Sequence, residues 1–169
     1  QALDGFASHI EELSSLENTL MEPFETQPVQ TAALAKRLQE QAKGWMKPGV
    51  ELAVDVASLE IRVNAAHLER VLLHLLQNAA DHTDSGKVKL EFKKRGAHIG
   101  QFIVTDTGSG IAEELRPDLF KPFSEPKVLS EGDGLGLPIC ALIAAKMNGS
   151  LTLDPDYKRG CRFVLGLSV

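Results

Sequence analysis

The sequence has no apolar run long enough to span a bilayer and no Gly-x-x-x-x-Gly-Lys phosphate loop. Neither a membrane-crossing helix nor a P-loop nucleotide site is therefore expected. Residues 1–20 are too polar for a secretory signal. Only two cysteines occur, Cys140 and Cys161, both in apolar contexts without metal-ligand spacing, and they read as small core residues rather than a disulfide or a reactive thiol. Net positive charge is also lacking: 18 basic against 23 acidic side chains leave −5. That balance argues against non-specific nucleic-acid binding, and it requires any phosphate ligand to find local positive charge from magnesium or helix N-termini. The 169 residues, 43% hydrophobic and 24% charged, suit one ordinary soluble domain with a short appendage.

Along the chain, Leu3, Phe6, Ile10, Leu13 and Leu20 give residues 1–22 one apolar helical stripe, interrupted at Glu17. Pro23 and Pro28 break that helix, and Thr26–Gln30 suits a short edge strand. Leu34, Leu38 and Ala42 mark a helix from Thr31 to Gly44. Val50–Val56 and Leu59–Val63 read as two strands, most simply a hairpin. From Ala65 to His82 the residues Leu68, Val71, Leu72, Leu75, Leu76 and Ala79 form the clearest helical face in the chain. Lys87–Arg95 alternates as a half-exposed strand, His98–Thr105 follows, and Glu113–Glu131 with its three prolines reads as loop and short turns. A helix over Gly134–Met147, with Leu135, Ile139, Leu142, Ile143 and Met147 inward, precedes closing strands at Ser150–Asp154 and Gly160–Leu167. Strand pairs alternating with helices predict an α+β, two-layer sandwich: a mixed, mainly antiparallel sheet with helices on one face.

The residues suited to chemistry are few. Gly132-Asp133-Gly134-Leu135-Gly136-Leu137-Pro138 sets three alternate glycines before a helix, the outline of a phosphate cradle formed by close backbone and a helix N-terminus. Asn78 sits about 90° from the centre of the apolar face of its helix, where its amide oxygen can border a cleft and meet magnesium. A solvated asparagine would look the same. His74 and Asp81, at i−4 and i+3, share that edge, and His82 is nearer the apolar boundary. Asp106 ends an apolar strand just before Gly108 and Gly110, where a carboxylate can accept a hydrogen bond from an exocyclic amine while the glycines bend around a flat ring. A dinucleotide-binding loop is excluded because Glu113 stands where a third glycine is needed.

In their order, Leu68–Thr83 with Asn78, Asp106-x-Gly108-x-Gly110, Leu119-Phe120-Lys121-Pro122-Phe123 and Gly132-x-Gly134-x-Gly136-Leu137 resemble the N, G1, F and G2 boxes of sensor histidine kinases. These kinases belong to the gyrase, Hsp90, histidine kinase and MutL superfamily, whose ATP-binding domains have the Bergerat fold. Gly160-Cys161-Arg162-Phe163 is similar to the family's Gly-Thr-x-Phe closing strand, with Cys161 departing. The resemblance implies that Asn78 coordinates magnesium on ATP and Asp106 bonds the adenine amino group. It assigns Gly108 and Gly110 to the base pocket and counts Ile111 and His82 among the nucleotide-binding residues, with Asp81 near the phosphates. Gly132, Gly134 and Gly136 would hold the phosphates, with Leu135 and Leu137 of the same segment among the nucleotide-binding residues, and Phe120 and Phe123 would anchor a lid over Ser124–Glu131. His74 stands where ATP-hydrolysing members carry a water-activating glutamate, which fits transfer of a phosphoryl group to histidine rather than to water.

Asp81 departs from the lysine or arginine common in these kinases and sets a like charge near the phosphates; Lys121 and Lys127 read first as solvated surface lysines, with compensation from the lid side as the alternative. His9, followed by Ile10 and Glu11, lacks the phosphoacceptor setting, so residues 1–22 read as the tail of a dimerisation helix and 23–169 as the catalytic domain. The acceptor histidine would then lie on an upstream segment of the parent chain. Three functions follow as alternatives: a cytoplasmic kinase catalytic domain of a soluble or membrane-anchored parent, working with ATP, magnesium, those helices and a response regulator; a degenerate module that only docks a regulator or phosphotransfer partner; and a gyrase- or MutL-like ATPase.

Overall fold

A computed structural model describes residues 25–108, 110 and 136–168. Strand β1 (Gln27–Gln30) leads into helix α1 (Thr31–Lys43), followed by β2 (Val50–Val56), β3 (Glu60–Val63), helix α2 (Ala65–His82), β4 (Gly86–Lys94) and β5 (Ile99–Asp106). Helix α3 (Gly136–Lys146) and strands β6 (Ser150–Leu153) and β7 (Arg162–Ser168) complete the described chain. Five strands form one sheet in the order β2-β4-β5-β7-β6, with only the β2–β4 pair parallel. The expected α+β sandwich, a mixed and mainly antiparallel sheet with a helical layer, is what forms.

Register explains why one face is dry. Val88, Leu90 and Phe92 of β4 line up with Asp106, Val104 and Phe102 of β5, and the Phe92 and Phe102 rings meet with centroids 4.5 Å apart. Phe163, Leu165 and Leu167 extend that face onto β7. Leu68, Val71, Leu72, Leu75 and Leu76 of α2 have no exposed surface against it, and burial of each such side chain contributes about 1.5–3 kcal/mol. Asn64 starts α2 as its cap, its side-chain oxygen accepting the His67 N–H at 2.9 Å. At the opposite end Lys47 donates to the Asp81 carbonyl at 2.9 Å and to Asp84 at 2.6 Å, placing a cation at the negative end of the helix dipole.

Two sequence expectations are corrected. Val50–Val56 and Leu59–Val63 are not a hairpin: β2 runs parallel to β4, from Val50 opposite Gly86 to Val56 opposite Phe92, while β3 pairs antiparallel with β1 in a separate two-stranded sheet. The cause is Thr31, fully buried, whose hydroxyl donates to the Ala57 carbonyl and accepts the Leu59 N–H at 2.9 Å. Its own N–H donates to the Leu59 carbonyl, also at 2.9 Å, so the chain between β2 and β3 is turned toward β1. Leu142, placed inward by its spacing, is instead 37% exposed, because Ile139, Cys140, Ile143 and Ala144 already fill the buried face of α3. Asn148 closes that helix with φ 59°, and the Gly149 N–H returns to the Ala144 carbonyl at 2.8 Å.

Candidate functional site

Asp106 is the last residue of β5 and lies on the sheet face that α2 covers, in register with Val88. It is 4% exposed. Its Oδ1 accepts the Gly108 N–H at 2.9 Å and the Cys161 N–H at 3.2 Å, while its own N–H donates to the Cys161 carbonyl at 2.8 Å. The Gly108 and Cys161 donors both meet Oδ1, so Oδ2 is the carboxylate oxygen that a ligand amine would use. Burial pushes the carboxyl pKa above its ordinary value, opposed by the two N–H groups from Gly108 and Cys161 and by nearby His82. A desolvated carboxylate held by backbone donors is oriented without rotamer freedom, and any amine reaching Oδ2 meets an acceptor stripped of competing water.

The walls around this carboxylate are backbone. A Cβ at Gly108 would collide with the His82 carbonyl at the end of α2, and one at Gly160 would collide with the Asp106 carbonyl. Gly110, with φ 75°, lies against the Gly160 backbone. The strand ends are fixed as well: the Thr107 N–H donates to the Lys87 carbonyl at 3.1 Å, and the Thr107 hydroxyl accepts the Lys87 N–H at 3.0 Å. Because Gly108 abuts His82, Asp106 faces the last turn of α2, and Asn78 is one turn, about 6 Å, earlier on that helix. The sequence reading separated these groups by 28 positions; the α2–β5 packing brings them to one interface.

Asn78 is 3% exposed, so it is not the solvated asparagine its residue type allows. Its Nδ2 is buried with no hydrogen-bond partner among the described residues. A buried amide left unsatisfied costs about 1–3 kcal/mol, which suits a group completed by a ligand. A neutral amide fits a hydrated magnesium held mainly by phosphate oxygens, and no cluster of three or more His, Cys, Asp or Glu occurs among the described residues to bind a metal without phosphate. His74 is partly buried on the same helix, four residues before Asn78. Asp81 is exposed, with its carboxylate accepting from Gln77 Nε2 at 3.1 Å. Leu137 is a core residue, 5% exposed, at the start of α3, directly after Gly136. Ile111, Phe120, Phe123, Gly132, Gly134 and Leu135, like Lys121, Lys127 and residues 1–22, lie outside the described residues.

Residue-type reasoning missed two contributors to the site. In the sequence Gly160 only starts a closing-strand motif and Tyr157 carries no signal, yet Gly160 packs on Asp106 and the Tyr157 hydroxyl donates to the Asp106 carbonyl at 3.1 Å. Their closeness to a residue more than 50 positions away depends on β7 pairing with β5. A groove of about 440 Å³ between α1 and β2, lined by Lys36, Glu40, Met46 and Leu52 among others, contains none of the residues considered above.

Residues 63–169 match the family described as histidine kinase-, DNA gyrase B- and HSP90-like ATPase. The sensory/regulatory protein RpfC of Xanthomonas campestris pv. campestris is 35% identical over 136 residues, covering 75% of this chain and 19% of RpfC. The adaptive-response sensory kinase SasA of Prochlorococcus marinus is 28% identical over 141 residues, covering 80% of this chain and 38% of that protein. The chain thus spans about a fifth to two fifths of these relatives. Among solved structures, the mycobacterial sensor histidine kinase MprB superposes with a TM-score of 0.73 at 26% identity, covering 84% of this chain and 97% of that one. Full-length ShkA in complex with AMPPNP superposes with a TM-score of 0.82 at 25% identity, covering 97% of this chain and 36% of that one. No helix among the described residues is long and apolar enough to cross a membrane. With a helix-covered mixed sheet, a buried carboxylate walled by glycines and a buried asparagine on the facing helix, the chain belongs to the histidine kinase-, DNA gyrase B- and HSP90-like ATPase family, in the form found in sensor histidine kinases.

Proposed function

We propose that this chain binds Mg–ATP between α2 and the glycine-rich segment before α3, and that it presents the γ-phosphoryl group to a histidine on an upstream segment of the parent kinase. The observation that carries the reading is Asp106: a carboxylate with one oxygen held by two backbone N–H groups and the other available to the adenine amine. Gly108 lets the chain leaving Asp106 pack against the end of α2, where a side chain would strike the His82 carbonyl, so the carboxylate and the helix that carries Asn78 are held together. Asn78 would hold the metal through its Oδ1, and its buried Nδ2, which has no partner among the described residues, would donate to a phosphate oxygen. His74 occupies the helix position one turn before Asn78, where a carboxylate would activate water; an imidazole favours transfer over hydrolysis.

Gly132, Gly134 and Gly136 would receive the phosphates, and residues 1–22 would continue a dimerisation helix whose partner segment carries the acceptor. A response regulator would then take the phosphoryl group. A docking-only module is the weaker reading, because Asp81, the residue that motivated it, is exposed and its carboxylate is engaged by Gln77. Titration with a non-hydrolysable ATP analogue, with and without magnesium, tests the proposal. Binding should weaken on Asp106→Ala and lose its magnesium dependence on Asn78→Ala. No binding by the unaltered chain at millimolar analogue would favour the docking module, and rapid magnesium-dependent hydrolysis would favour a gyrase-like ATPase.

A further inference from the structure

Asp106 is held from a third direction, by a cluster that base recognition does not itself require. The turn between β6 and β7 carries Tyr157, whose hydroxyl donates to the Asp106 backbone carbonyl at 3.1 Å. That ring is itself fixed: the Arg162 guanidinium carbon lies 4.3 Å from its centroid, a cation–π stack. Arg162 is in turn oriented by two partners, Asp154 at 3.6 Å and the Thr105 hydroxyl, to which its Nε donates at 3.2 Å. Asp154 and Arg162 face each other across the mouth of the turn, where the Asp154 N–H donates to the Arg162 carbonyl at 2.8 Å. The chain of contacts therefore runs from the turn through Tyr157 to the peptide group that sets the direction of the Asp106 side chain.

We propose that Tyr157, braced by Arg162, is a positioning residue for Asp106 and so sets how strongly the site selects a 6-amino purine. The physical reason is angular. A carboxylate selects an amine only while Oδ2 points at it, and Oδ1 is tied to Gly108 and Cys161 on the adjoining backbone. The Asp106–Thr107 peptide, which carries the chain toward Gly108, is held on its N–H side by the Lys87 carbonyl at 3.1 Å and on its carbonyl side by Tyr157. Loss of the hydroxyl leaves that peptide held on its N–H side alone, so it tilts about that bond and takes Oδ2 out of line, with no loss of phosphate or metal contacts. The effect falls on the base alone.

This inference rests on the nucleotide reading above, and the test separates the two. ADP and its 6-deamino counterpart, purine riboside diphosphate, are titrated with magnesium into the 169-residue chain and into its Tyr157→Phe variant. The expected result is about a fivefold weaker ADP affinity in the variant, the size of one lost hydrogen bond, with purine riboside diphosphate affinity unchanged. An Asp106→Ala background should abolish the difference between Tyr and Phe at 157. Equal weakening of both nucleotides would overturn the inference, since a role in general stability moves both. Unchanged ADP affinity would also overturn it while leaving the nucleotide site standing. Failure of the unaltered chain to bind either nucleotide would remove the site and the inference together.

Discussion

Replacing Asp106 by Asn separates what this residue does for folding from what it does for a ligand. In the apoprotein the substitution keeps Oδ1, so the Gly108 and Cys161 N–H groups retain their acceptor. It removes a charge whose burial raises the carboxyl pKa. A folded-state pKa above the unfolded value means the native state favours the protonated form; that contribution is complete below the unfolded pKa and is lost as pH rises through the folded pKa. Asn does not titrate, so the variant should match or exceed the parent in melting temperature at pH 7. Its advantage should vanish as the pH falls through the carboxylate range. Toward a nucleotide the effect reverses: Oδ2 becomes an N–H donor facing the adenine amine. A hydrogen bond to a charged acceptor contributes about 1.5–3 kcal/mol, so affinity should drop from roughly tenfold to a hundredfold. Differential scanning fluorimetry between pH 4 and 8 and calorimetric titration with ADP read the two sides. A variant that melts several degrees lower at pH 7 yet binds ADP like the parent would refute the reasoning, because Asp106 would then be a structural anchor only.

Three further outcomes are expected. Asn78→Ala deletes an amide with no described hydrogen-bond partner for its nitrogen, so urea unfolding should change by no more than about 1 kcal/mol, while the gain in nucleotide affinity on adding magnesium disappears. Gly108→Ala drives a methyl into the His82 carbonyl and should cost about 1–3 kcal/mol in the same unfolding assay; a variant as stable as the parent would mean that α2 and the β5 exit do not meet as described. Thr31→Val leaves the Ala57 carbonyl and the Leu59 N–H without the buried hydroxyl, for a loss of about 1–3 kcal/mol. Hydrogen exchange should then rise first across the β1–β3 pair, and uniform exchange throughout the chain would contradict that local role.

Much of this molecule is legible in its residues because local periodicity carries the information. The span of α2 is read correctly, since six apolar residues at helical spacing leave no other way to bury one face. The face of β4 is legible for the same reason, with Val88, Leu90 and Phe92 inward. The alternation of Val50–Val56 is equally plain, but a period of two states which face is dry and says nothing of which strand lies alongside. Thr31, distant in sequence and common in type, decides that β3 leaves β2 for β1.

The candidate site divides along the same line. Residue types and spacing marked an asparagine on an amphipathic helix, a carboxylate at a strand end and glycines after it as candidates, because each chemistry needs those atoms whatever surrounds them, and the resemblance to the histidine kinase boxes joined them into one set. Tertiary structure decided that Asn78 is buried, that Asp81 is exposed beside Gln77, and that Gly160 and Tyr157 close on Asp106. Burial and orientation are properties of packed surfaces: they arise when β5 docks under α2 and beside β7, and no single segment of the chain contains them.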